Sequence, residues 1–335
     1  MIQQQVARLQ GARDIAPDRG EIPEPGPHDV VIRVAVCGIC GTDLAFYRHG
    51  STPAGAILGH EFSGRIAAAG SAVADLAAGD RVVVNPMYDG MGLGHVPGAF
   101  AQYVRLGDAE LGRNLFRLPD AISDEVGALI EPFAVGLHAV NNAAVTAEDR
   151  AVVLGAGTIG LCVIAALRAR AVRDILAIDL SDRRLDLARR LGASDVHNPA
   201  HGSVPAFVGR HFGTETVRYA REPLALASVA FDCAGVLPAF RDALHSLAPK
   251  GRLVLVADPH EHDLPHLRLV MLRELKVMGA LAYETEFPEV IDLLASGRVD
   301  LRPIVTHRFA LDEIGDAFRV QADPDVAVKV LVRAD

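Results

Sequence analysis

The chain has 335 residues, half of them hydrophobic and 22% charged, which favours two folded domains and excludes a small stapled module or a disordered chain. A formal net charge of −9, with 33 Lys and Arg scattered among 42 Asp and Glu, argues against nucleic acid as a partner. Four cysteines are too few for a disulfide framework, so any cysteine with a role is expected to bind metal.

From Met1 to Arg8 there is no apolar stretch of signal-peptide length, and the longest apolar region, Gly155 to Leu167, ends at Arg168, short of a membrane span. A cytoplasmic chain without a membrane partner is the expectation. Asp29–Val36, Phe62–Ala69, Asp80–Val84 and Gly98–Leu106 are short alternating or apolar runs broken by glycine and proline. They predict strands of an antiparallel, barrel-like unit. From Ser123 the periodic stretch SDEVGALIEPFAVGLHAV predicts a helix that Pro132 kinks or divides.

After Arg150 the order becomes strand, glycine turn, helix, strand, in AVVLGAG, TIGLCVIAALRARA, DILAIDL and SDRRLDLARRLGA. The later runs LALASVAFDCAG, GRLVLVAD and LKVMGAL alternate with helical segments, the pattern of a doubly wound parallel sheet covered on both faces. Beyond Glu286 lie two amphipathic helices, FPEVIDLLASG and LDEIGDAFRVQ, and a strand, VAVKVLV, expected to return to the first domain.

Gly155-Ala156-Gly157-Thr158-Ile159-Gly160 is a GxGxxG turn between a buried strand and a helix, where the first glycine makes the turn, the second admits a pyrophosphate and the third lets helix and strand pack closely. Asp179 follows Gly160 by 19 residues at the end of the next strand, where a carboxylate accepts bonds from both ribose hydroxyls and repels a 2′-phosphate. NAD is therefore expected ahead of NADP. Arg183 and Arg184 keep NADP open, and Arg184 is counted among the cofactor-binding residues.

Cys37-Gly-Ile-Cys40-Gly-Thr42-Asp43 has no second CxxC to complete a four-thiolate zinc site, but Gly59-His60-Glu61 follows Cys40 by about twenty residues. Thiolate, imidazole and carboxylate form the mixed donor set of catalytic zinc sites. With CGICGTD, GHEFSGRIAAAG, GDRVVV, a helical Glu-Pro and GAGTIG in this order, the chain resembles the zinc-dependent medium-chain dehydrogenase/reductase superfamily, in its polyol and secondary-alcohol branch.

The resemblance implies a GroES-like antiparallel barrel, residues 1–134 and 282–335, around a Rossmann domain, residues 135–281, with the site in the cleft between them. It implies Cys40, His60 and Glu61 as zinc ligands, Glu131 binding directly or through water at a position Glu61 shares, Thr42 passing on the alcohol proton, and Cys37 as a bystander. It also implies a homodimer or homotetramer acting on a small alcohol, polyol or cyclitol. Relatives carry a four-cysteine lobe after GDRVV, but residues 85–95 hold no cysteine, so one catalytic zinc per chain and no structural zinc are expected, with a glycine-rich loop bordering the active-site entrance or a subunit contact. Ala45 stands where relatives often have a relay histidine; His49 is a candidate substitute, while His95 and His138 read as ordinary histidines. The alternatives are a zinc-free reductase of the quinone or enoyl type and a non-catalytic nucleotide-binding protein.

Overall fold

The computed structural model describes residues 2–217, 223–258 and 267–334. The chain forms two compact units: Met1–Glu131 with Phe287–Arg298 and Arg302–Asp335, and Pro132–Glu286 with Val299–Leu301.

In the first unit, six strands of a seven-stranded sheet lie in the order Val305–Ala310, Lys329–Arg333, Val30–Gly38, Glu61–Ala69, Arg81–Val84, Leu115–Arg117, and Tyr103–Leu106 pairs with Val30–Gly38. The pairings are antiparallel except between the first two, which run parallel. Val30, Ile32 and Val34 alternate into one core with Phe62, Ile66, Val82 and Val84, as period-two patterning requires. A register shift between Val34 and Val36 changes the parity, so Cys37 joins that core and Val36 packs on the other face with Ala128 and Leu331. VAVKVLV does return to this sheet, its Leu331 opposite Gly38.

Several features lie outside the sequence expectation, among them the strands Leu115–Arg117 and Val305–Ala310. Gln3–Gly11 and Asp14–Glu21 form a hairpin, tied to the unit where Ala7 donates to the Phe100 carbonyl and Leu9 to that of Ala56. The stretch from Ser123 is two helices, Asp124–Gly127 and Ile130–Asn142, and Pro132 sits in the first turn of the second, where its missing N–H costs nothing.

The second unit is a six-stranded sheet in the order Asp195–His197, Asp174–Ile178, Arg150–Leu154, Ala227–Asp232, Leu247–Leu255, Lys276–Gly279, parallel throughout. The order reverses beside Arg150–Leu154, which is the switch point where doubly wound sheets bind ligands. The helix Thr158–Ala169 that follows is buried nearly all round, explaining its uniformly apolar sequence. Among the described residues no helix is long and apolar enough to cross a membrane.

Candidate metal and dinucleotide sites

The first unit gathers Cys40, His60 and Glu61 so that one donor atom of each lies within 4.8 Å of the others. Cys40 caps the helix Gly41–His49, accepting from the Thr42 amide, while Asp43 Oδ2 accepts from the Cys40 amide at 2.9 Å. That reciprocal cap fixes the thiol at a helix N-terminus. Glu61 opens the strand paired with Val30–Gly38 and His60 directly precedes it, 1% and 3% exposed. Gly59 delivers them with φ +95°, and a Cβ there would lie 2.9 Å from Cys37 Sγ.

Asp43, fully buried, takes the Gly59 amide at 3.3 Å on Oδ1, and the same oxygen lies 3.6 Å from His60 Nδ1. His60 Nδ1 is buried without a hydrogen-bond partner. Burial alone would lower the His60 pKa, but Asp43, Cys40 and Glu131 raise it well above its ordinary value. The donor set therefore favours a positive charge at its centre, and sulfur, nitrogen and carboxylate oxygen are the donors zinc accepts. The site fits that ion.

Glu61 Oε2 accepts from Lys329 Nζ at 2.5 Å, and Lys329, 1% exposed, also donates to the Ile39 carbonyl at 3.0 Å. Burial would lower the Lys329 pKa, but Glu61, Cys40 and Glu131 raise it, so the ammonium is a fixed positive charge beside the cluster. Sequence reasoning missed Lys329 and gave Asp43 no role. A lone lysine inside the apolar VAVKVLV was the available signal for the first, and an acid three residues after a capping cysteine for the second.

Glu131 opens the helix Ile130–Asn142; its charge acts on His60 and Lys329, but its carboxylate is outside the three-donor cluster. Thr42 is exposed in the first turn of its helix. Cys37 is buried, donates to the Gly38 carbonyl at 3.5 Å and stays a thiol, its pKa raised well above the ordinary value by burial and by Asp43. The cysteine-free loop lies against the metal cluster: Gly92 packs on the Gly59 carbonyl, which accepts from the Ala99 amide at 2.8 Å. His49 and His95 are exposed, whereas His138 is buried, with Nδ1 2.9 Å from Glu286 Oε1 and Nε2 3.1 Å from the Asn142 amide nitrogen.

In the second unit the GAGTIG turn has the shape its spacing implies. Gly155 has φ +91°, and a Cβ on Gly160 would fall 1.8 Å from the Gly155 carbonyl oxygen, so neither position admits a side chain. Gly157 caps the helix Thr158–Ala169 without a side-chain bond, so the positive end of the helix begins at the glycine turn, where a phosphate is favoured. Asp179 lies beside the turn, its Oδ2 accepting from the Ala156 amide at 2.7 Å and its Oδ1 from the Ser181 amide at 2.8 Å. An Arg184 guanidinium nitrogen comes within 3.8 Å of where a Gly157 Cβ would sit.

Residues 26–120 match the alcohol dehydrogenase GroES-like domain family and residues 158–296 the zinc-binding dehydrogenase family. The chain is 34% identical to (R,R)-butanediol dehydrogenase of Bacillus subtilis, covering 98% of this chain and 99% of that one, and 30% identical to sorbitol dehydrogenase of Homo sapiens, covering 98% and 95%. Among solved structures it is similar to 2R,3R-butanediol dehydrogenase of Bacillus subtilis, with a TM-score of 0.88 at 32% identity over 99% of this chain and 100% of that one. A zinc-binding dehydrogenase of Sinorhizobium meliloti bound to NADP gives 0.86 at 28% identity, again over 99% and 100%.

Proposed function

The chain belongs to the zinc-dependent medium-chain dehydrogenases, in their polyol and secondary-alcohol branch, and from that membership we propose that it transfers hydride between a small secondary alcohol or polyol, or its ketone, and NAD. The observation that carries the reading is the convergence of Cys40, His60 and Glu61 donor atoms within 4.8 Å. These three would hold one zinc, with Glu131 completing the set directly or through water. Bound there, zinc supplies Lewis acidity that lowers the pKa of a coordinated hydroxyl.

The chain's own residues do the rest. Asp43 Oδ1, 3.6 Å from His60 Nδ1, places a carboxylate charge beside the ring. Lys329 fixes one Glu61 oxygen and so restrains the carboxylate beside Cys40 and His60. Thr42, exposed beside Cys40, takes the alcohol proton on Oγ1 and passes it to water, a short route that needs no histidine at position 45. The helix N-terminus at the GAGTIG turn binds the cofactor's pyrophosphate, and Asp179 binds its ribose diol. We take the assembly to be a homodimer or homotetramer, with the edge strand Lys276–Gly279 as a pairing edge, because Val277 and nearby Leu281 are 41% and 84% exposed. Light scattering that gives the mass of one chain would refute the assembly.

The reading is tested by metal analysis together with a panel of vicinal diols, sugar alcohols and cyclitols, followed by reduced-cofactor absorbance. One zinc per chain with turnover is the expected result; two zincs would refute the loss of the structural site, and full turnover in stripped protein would refute the zinc mechanism. Cofactor choice has its own test. Asp179→Asn loses a charge-assisted bond worth about 1.5–3 kcal/mol, so the KM for NAD should rise roughly tenfold or more while that for NADP falls. A wild type that prefers NADP would overturn the assignment of Asp179.

A further inference from the structure

The first unit has a groove away from the three metal donors, about 360 Å³ in volume, whose floor is the bulged segment Val34–Val36. Arg33, Arg65 and Arg333 line it together with Asp124 and Glu125. Both acids are already engaged from outside the groove. Asp124 Oδ1 takes Nε of Arg81 at 3.1 Å and Nη2 at 2.5 Å, and Glu125 takes both arms of Arg308 at 2.6 and 2.7 Å. What remains for the lining arginines is slight: Arg65 lies 3.9 Å from Asp124, Arg333 shares Glu125 at 3.2 Å, and Arg33 has no ion pair among the described residues. Three guanidinium groups thus face one concavity with their charge largely uncompensated, in a chain whose net charge is −9.

We propose that this groove binds a small molecule bearing a phosphoryl group. Guanidinium forks match phosphate oxygens in pairs, and the volume sits at the lower end of the range for small-ligand sites. A cation meets the wrong charge, since the lining arginines outnumber the lining acids. Free phosphate and a phosphate ester share this chemistry. The proposal does not depend on the alcohol-oxidation reading, since none of its residues belongs to the metal cluster or the glycine turn.

The test is thermal melting of the intact protein titrated with inorganic phosphate, pyrophosphate and glycerol 3-phosphate, against chloride at matched ionic strength. The wild type should show a saturable rise in melting temperature with phosphoryl compounds and none with chloride. In Arg33→Gln/Arg65→Gln the concentration for half the effect should rise about tenfold or more, with the melting temperature in chloride unchanged. Tighter binding of glycerol 3-phosphate than of phosphate would identify an ester as the ligand; the reverse order would identify the free ion. A response identical in wild type and double variant would place the phosphate at the GAGTIG turn and overturn the proposal, as would a rise that never saturates.

Discussion

Cys40→Ala is expected to leave protein that retains no zinc through dialysis and has lost turnover by well over a hundredfold, while Cys37→Ala keeps its zinc and works within about twofold of the parent. Removing a group that only supports a metal ligand costs about 10–100-fold, so removing the ligand itself must cost more. The two thiols are three residues apart and sit in opposite environments. Cys40 caps a helix, accepting from the Thr42 amide, and its sulfur is within the three-donor cluster. Cys37 points into the core, and burial with Asp43 nearby keeps it protonated. Its loss removes one buried sulfur, a cost of about 1 kcal/mol to stability. Metal content and turnover on the same samples decide the matter; loss of zinc from Cys37→Ala with retention in Cys40→Ala would reverse the assignment.

How far the sequence reaches depends on which interactions a residue makes. The strands Val30–Gly38 and Glu61–Ala69 announce themselves as short runs, the first apolar because it is buried on both faces and the second alternating from Gly64 to Ala68. The glycine turn is legible because sterics allow no other residue at Gly155 and Gly160. The N-terminal hairpin is not: QQQVARLQG buries the consecutive Val6 and Ala7 and so breaks its alternation, DIAPDRGE is mostly exposed, and Pro17 argues locally against a strand. The strand Val305–Ala310 is half-buried along its length and equally quiet. In the three-donor cluster, chemistry and spacing point to a thiol, an imidazole and carboxylates, the family resemblance implies Cys40 and His60, and which of Glu61 and Glu131 lies with them stays open. That is decided by Lys329, 268 residues from Glu61 in sequence and 2.5 Å from it in space.

Lys329 accordingly supplies the other large effect. The ammonium is 1% exposed and bonded to Glu61 and the Ile39 carbonyl, so Lys329→Met strands a buried carboxylate. Breaking a buried ion pair from one side costs about 3–5 kcal/mol, and the metal-free variant should melt far below the metal-free parent. Zinc should recover much of that loss, because a divalent cation replaces the missing positive charge beside Glu61. The gap between metal-free and zinc-loaded melting temperatures is therefore expected to widen in Lys329→Met and to stay near the parent's in Lys329→Arg, which keeps the charge. Turnover should nonetheless fall about 10–100-fold in Lys329→Met with zinc in place, because a Glu61 released from its counter-charge donates more strongly and weakens the ion's pull on substrate oxygen. If both forms of Lys329→Met drop by the same number of degrees and the zinc-loaded form keeps full turnover, the lysine stabilises the strand and nothing more.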